Sequence, residues 1–159
     1  MLKESKKRAR SCSKSTWKRL GKYRLVIDPR TSRRMGRVRQ RATAPELAVR
    51  TLLNAAGIRY RTNNRDLPGS PDLANRRNRW AVFVHGCFWH RHAGCRRTTT
   101  PTRNRDFWLA KFVSNRARDA RVLRELKAMG YETVVVWECQ TGQIRLARLL
   151  RRLLTKTRR

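Results

Sequence analysis

All three histidines of this chain fall within eight positions. The segment Val84-His85-Gly86-Cys87-Phe88-Trp89-His90-Arg91-His92-Ala93-Gly94-Cys95 holds them together with two of the four cysteines. Packing gives no reason to gather every imidazole of a protein in one short stretch, whereas metal and proton chemistry does. Cys87, His92 and Cys95 have a loop spacing suited to zinc. Cys139, just past the apolar run Val134–Trp137, could complete a tetrahedral Cys₃His set, the alternative being a small buried hydrophobe. Asp72 follows Pro68-Gly69-Ser70-Pro71 and precedes a buried strand. A carboxylate there suits a hard cation such as Mg²⁺, although an aspartate after proline is more often a turn residue. With His85 closing the next strand, a carboxylate and an imidazole on adjacent strand ends form a phosphodiester-cleaving pair. Phe88, Trp89 and Trp108 make a third group. Aromatics beside a basic field can stack on bases or wedge between base steps, while Trp108 could equally anchor a core.

These residues need elements to hold them. Thr43 with Pro45 and Glu46 reads as a helix start, and Val49, Leu52, Leu53 and Ala56 recur at helical spacing before Gly57, a helix stop. A short Ile58–Tyr60 run and the turn Leu67–Asp72 lead to an apolar strand, Trp80–His85. A helix is expected from about Asp106 to Met129, stopped by Gly130, then a second buried strand at Thr133–Trp137. A last helix carries Leu146, Leu149, Leu150 and Leu153 on one stripe, with arginines on the other face. Helix, two or three strands, helix, strand, helix is an α/β class fold with a small mixed β-sheet flanked by helices.

Charge narrows the class of partner. The 159 residues carry 41 Lys+Arg against 10 Asp+Glu, a formal charge of +31. Such a field calls for a polyanion, nucleic acid first. A membrane partner is not expected, because no apolar stretch approaches the roughly 20 residues of a spanning helix and no signal-peptide core follows the basic start. From Met1 to Arg41 sixteen Lys/Arg face only Glu4 and Asp28, with no sustained apolar period. Residues 1–34 therefore read as a basic, disordered arm that can order on phosphate, with a local strand at Tyr23–Ile27, and residues 35–159 as the domain. In an intracellular chain, cysteines set among histidines favour metal over disulfides, and the isolated Cys12 is expected to be a free thiol.

Phe83–His92, preceded by Leu67-Pro68-Gly69-Ser70-Pro71-Asp72 and followed by Val136-Trp137-Glu138-Cys139, resembles the very short patch repair (Vsr) endonuclease family. Met35, Arg39 and Thr43–Glu46 upstream, and Thr102-Arg103, Phe107-Trp108, Asn115 and Arg118-Asp119 downstream, extend the likeness over roughly Met35 to Cys139. The resemblance implies a restriction-endonuclease-like core with a structural zinc site. It implies that Asp72 and the backbone carbonyl of Val84 hold Mg²⁺, and that His85 and His90 are the catalytic histidines. Of these, His90 activates water or assists the attack. Glu46 and Asp119 match outer acids that hold water or orient histidine, against plainer readings as a capping residue and a helix-surface acid. Cys87, His92, Cys95 and Cys139 match the Zn²⁺ ligands, and Phe88, Trp89 and Trp108 match aromatics that enter the duplex beside a T·G mismatch. Ala93-Gly94 lengthens the His92-to-Cys95 spacing by one residue relative to the family pattern, and Ser70 stands where a basic residue is common.

The expectation is a Mg²⁺-dependent, zinc-stabilised DNA endonuclease that nicks one strand beside a T·G mismatch arising from deaminated 5-methylcytosine. It would be a monomer of bacterial type, cytoplasmic and nucleoid-associated, acting on double-stranded DNA, with other mismatch-repair proteins as further partners. The competing readings are a related nuclease with another mismatch or flap preference and a non-catalytic zinc-stabilised DNA-binding protein.

Overall fold

A computed structural model describes residues 16–20 (backbone only), 22–39, 41–142, 145–148, 150–151 and 153. Expectations for residues 1–15, including Cys12, and for Leu149 lie outside these. The chain divides into two compact units, Met1–Val38 and Arg39–Arg159.

In the first unit, strands β1 (Thr16–Leu20) and β2 (Tyr23–Ile27) pair antiparallel, and helix α1 (Pro29–Gly36) follows. The strand expected at Tyr23–Ile27 is thus half of a hairpin. Asp28 starts α1 by accepting the amides of Arg30 and Thr31 at 3.2 Å, with Pro29 in the first turn, where its missing N–H costs nothing. No residue of α1 is buried, and Arg30, Arg33, Arg34 and Arg37 are all exposed.

The second unit begins at α2 (Ala44–Ala55). Thr43 caps it, and Glu46 reaches back to the Ala42 amide at 2.9 Å and accepts from the Thr43 hydroxyl at 2.8 Å. Its end is a Schellman motif: Gly57 takes φ +69°, Ile58 N–H bonds the Leu53 carbonyl and Gly57 N–H that of Asn54, each at 2.9 Å. Ile58 is buried as the hydrophobic seal of that motif, so the Ile58–Tyr60 run does not form a strand. Strands β3 (Leu73–Asn75) and β4 (Trp80–His85) pair antiparallel, and β4 pairs parallel with β5 (Glu132–Trp137). A parallel partner requires a crossover, which is supplied by the one-turn helix α3 (Cys87–His90) and the long α4 (Arg105–Ala128).

Alternation along the strands sends side chains to two cores. Trp80, Val82 and Val136 join Val49, Leu53, Ile58 and Leu73, and also Leu146, Leu150 and Leu153 from helical backbone at 145–148, 150–151 and 153. Ala81 and Phe83 face Val122 and Leu126 of α4. The sheet is therefore covered on both faces. Truncating one of the fully buried leucines of these cores, such as Leu73 or Leu53, to alanine would cost about 2–5 kcal/mol. Gly69 lets the turn before β3 close onto α4. It has φ +68°, and a Cβ there would meet Val122 Cγ1 at 2.4 Å. No helix among the described residues is long and apolar enough to cross a membrane.

Candidate active site and metal centre

Because β3 runs antiparallel to β4, its start and the end of β4 lie at one end of the sheet, and Asp72 meets Val84 there. Asp72 Oδ2 accepts the Val84 amide at 2.7 Å. The N–H and C=O of one strand residue leave on the same edge, so the Val84 carbonyl also faces the Asp72 side, beyond the last β3 pair, Leu73–Val82. Burial raises the Asp72 carboxyl to about 6, opposed by the Val84 amide and raised further by the nearby Glu46 charge. Glu46 is itself buried and pairs with Arg50 at 3.5 Å. Two acids with a single neighbouring arginine leave negative potential that a divalent cation would neutralise.

The second group lies on the α4 side of the sheet. The rings of His85 and His90 stack at 3.8 Å and 11°. His90 Nδ1 lies 2.5 Å from Asp119 Oδ2, and Arg118 donates to the other carboxylate oxygen at 3.3 Å. A carboxylate on Nδ1 keeps a proton there and leaves the Nε2 lone pair free. Burial, then the neighbouring His90, pushes His85 down to about 4, so His85 is neutral at pH 7. Ligand atoms of His85, His90 and Asp119 lie within 4.8 Å of one another. Imidazole lone pairs lie in the ring plane, however, and two parallel rings cannot aim both at one ion between them. The arrangement places His90 between a stacked imidazole and a carboxylate, a geometry suited to proton transfer.

The third group can hold a metal. One ligand atom from each of Cys87, His92, Cys95 and Cys139 lies within 4.8 Å of the others. His92 Nδ1 is 3.7 Å from Cys87 Sγ and 3.2 Å from Cys139 Sγ. Ligands of one tetrahedral zinc, at about 2.1 Å for nitrogen and 2.3 Å for sulfur, would stand in this range. Burial pushes the Cys87 thiol up to about 12, while the Arg97 amide and charge lower Cys95. Before Cys95 the chain makes a turn in which Gly94 takes φ +68° and Cys95 N–H bonds the His92 carbonyl at 3.3 Å. Thr98 ties the loop by donating to the carbonyls of His92 and Cys87.

A sequence profile of the family described as DNA mismatch endonuclease Vsr matches residues 25–97. The Type II nicking enzyme V.XorIIP of Xanthomonas oryzae pv. oryzae is 46% identical over 110 residues, 69% of this chain and 80% of that protein. The chain belongs to the Vsr endonuclease family. Escherichia coli DNA mismatch endonuclease Vsr is 37% identical over 108 residues, covering 68% of this chain and 69% of its own. The Type II nicking enzyme V.NaeI of Lentzea aerocolonigenes is 32% identical over 139 residues, covering 84% and 82%.

In this Vsr-family DNA endonuclease, the three expected aromatics converge although α3 and α4 are separated in sequence. Phe88 meets Trp89 at 5.1 Å and Trp108 at 5.5 Å, and Trp89 meets Trp108 at 5.9 Å. Phe112, buried, supports Phe88 at 5.3 Å and Trp108 at 5.9 Å. The wedge candidates are half-buried, and the core anchor among these four is Phe112, so Trp108 stands at the border of its two readings. The segment carrying Phe88 and Trp89, expected as a loop, is a helical turn, with Arg91 after it at φ +56°. Glu46 has its capping geometry and is also near Asp72. Asp119, whose plainer reading was a surface acid, instead faces His90.

Several contributors were not singled out as site residues by type or spacing. Arg50 pairs with Glu46, and Arg91 lies over the Phe112 ring at 4.8 Å. Asn115, matched only as part of the motif, donates to the Trp89 carbonyl at 2.9 Å. Trp137, which reads as ordinary packing in the sequence, stacks on His92 at 4.3 Å and 7°. Its position two residues before Cys139 was the available signal.

Proposed function

We propose that this protein nicks one strand of duplex DNA beside a T·G mismatch, within a restriction-endonuclease-like core, with Mg²⁺ at Asp72 and a structural zinc at Cys87, His92, Cys95 and Cys139. The observation that carries the reading is the His85–His90–Asp119 arrangement, set on the same strand end as the half-buried Asp72 carboxylate. A divalent ion at Asp72 and the Val84 carbonyl would supply positive charge to the phosphate and its leaving oxygen. The protein's own groups do the rest. Asp119 holds His90 by Nδ1, and Nε2 accepts the proton of the attacking water while a phosphorus–oxygen bond of the backbone breaks. His85, neutral and stacked, keeps that ring in place. Glu46 and Arg50 flank Asp72.

Phe88, Trp89 and Trp108 form one aromatic face that can enter a base step. Unstacking costs a few kcal/mol and less at a mispair, so insertion favours mismatched sites. The high positive charge adds affinity that does not depend on sequence. Family relatives named as mismatch endonuclease and nicking enzymes support the reaction class. We read the protein as a cytoplasmic, nucleoid-associated monomer acting with other mismatch-repair proteins. The test is a panel of matched, singly mismatched and flap duplexes with Mg²⁺ and with EDTA. Nicking confined to T·G duplexes and lost in EDTA is expected. Cleavage of matched DNA or flaps at equal rates would reject the mismatch assignment, and tight binding without nicking would reject the enzyme.

A further inference from the structure

Trp137 joins two groups of side chains that the proposed reaction uses separately. As the last residue of β5 it pairs in register with His85, the last of β4. Paired residues of neighbouring parallel strands lie side by side on one face of the sheet. The indole accordingly meets the His85 ring at 5.4 Å and 75°, an edge-on contact. It also stacks flat against His92 at 4.3 Å and 7°. Two residues further along the chain, Cys139 contributes to the same cluster as His92. One rigid side chain with two χ angles therefore touches a candidate metal ligand and a candidate reaction residue. His85 in turn stacks on His90.

We propose that Trp137 is a positioning residue for cleavage, which transmits the geometry of the Cys87–His92–Cys95–Cys139 centre to the His85–His90 stack. The inference rests on the reading of His85 and His90 as reaction residues. With the cluster closed on a metal, His92 is fixed, the indole lies against a fixed plane, and His85 has a wall on the Trp137 side. His90 completes its enclosure, with Phe83 at 5.9 Å. A ring that drifts by about 1 Å at a reacting centre costs on the order of 10² in rate. This role differs from packing, for which any apolar side chain of similar volume would serve.

The test uses full-length, zinc-loaded protein with Trp137→Phe and Trp137→Leu. Phenylalanine keeps a flat ring and leucine does not. Single-turnover nicking should fall about tenfold or more in Trp137→Leu and recover to within about threefold in Trp137→Phe. Affinity for an uncleaved mismatched duplex should stay within about twofold in both. Equal slowing in both variants, or affinity that falls in step with rate, would overturn the proposal. A second measurement is independent of cleavage. The chain has three histidines, so its histidine ring-proton NMR signals are few enough to assign. Exchanging zinc for the larger cadmium should shift the His85 signals in the parent protein and leave them in place in Trp137→Leu. Equal shifts in both would show that any coupling bypasses the indole. If the NMR coupling holds while His85→Ala and His90→Ala nick normally, the reaction assignment has failed and the positioning contact has not.

Discussion

His85 and His90 stack ring on ring at 3.8 Å, with His90 alone bonded to a carboxylate, that of Asp119. Two imidazoles this close resist carrying two charges, and the unpaired, buried one is the ring driven neutral. The pair is asymmetric by construction, and the proposed reaction accordingly gives proton transfer to His90 and support to His85. Asp119→Asn should therefore lower the nicking rate about 10²-fold or more with little change in DNA affinity, because the amide no longer enforces the Nδ1–H tautomer. His90→Ala should be at least as slow. An Asp119→Asn protein that nicks at the parent rate would remove Asp119 from the mechanism.

Asp72→Ala should abolish nicking and leave binding to mismatched duplex nearly unchanged, since it deletes the carboxylate proposed to hold Mg²⁺ without touching the basic surface. Saturating Mg²⁺ should not rescue it. Gel-shift and nicking assays on one preparation separate the two outcomes.

Without added Mg²⁺, Asp72 and His85 should oppose each other in the pH dependence of stability. Asp72 has a folded value of about 6 against 3.8, so its burial penalty is present above about pH 6 and fades as pH falls toward 3.8. His85 has a folded value of about 4 against 6.5, so its penalty is absent above about pH 6.5 and grows as pH falls toward 4. Asp72→Asn should then be more stable than the parent at pH 8, by on the order of 2 kcal/mol, and should lose stability more steeply between pH 6.5 and 4. Urea unfolding at several pH values reads both. Parallel curves for the two proteins would refute the opposing terms.

Purified protein should carry one zinc per chain, and Cys139→Ala should lose it along with stability. Cys139 lies far in sequence from the other three candidate ligands, so a metal there would cross-link the end of β5 to the loop after β4. Metal analysis of well-folded protein without zinc would end this assignment, and Cys12→Ser should change neither quantity.

Trp89→Ala should reduce the preference for mismatched over matched duplex more than it reduces matched-duplex binding. Removing residues 1–38 should instead flatten the salt dependence, by about 0.9 in slope for each phosphate that the segment neutralises, and spare the preference. The two variants, measured on both duplexes across a salt series, would show crossed roles if the aromatic face and the basic segment were assigned the wrong way round.

The candidate site residues were legible in residue type and spacing. Cys87, His92 and Cys95 are close in sequence, so the chain's own local geometry gathers them, and Thr43 with Glu46 specifies a helix start through bonds that span at most four residues. The run of valines ending at Trp137 and the glycine at 130 likewise marked a strand and a helix stop by local rules. The basic N-terminal stretch read as a polyanion-binding arm, but its hairpin depends on cross-strand pairing that composition does not specify. Tertiary structure decided which distant residues meet. Asp119 could be a surface acid until α4 docks against the sheet with that face toward His90. Phe88 and Trp89 join Trp108 only because α3 packs on the start of α4. Trp137 reaches His85 through the parallel register of β4 and β5, a long-range pairing across a crossover, and its sequence neighbours carry no mark of that partner. Local spacing specifies turns, caps and ligand loops because those bonds close within a few residues. Sheet register and helix docking are set by burial of whole faces, and only the folded chain states them.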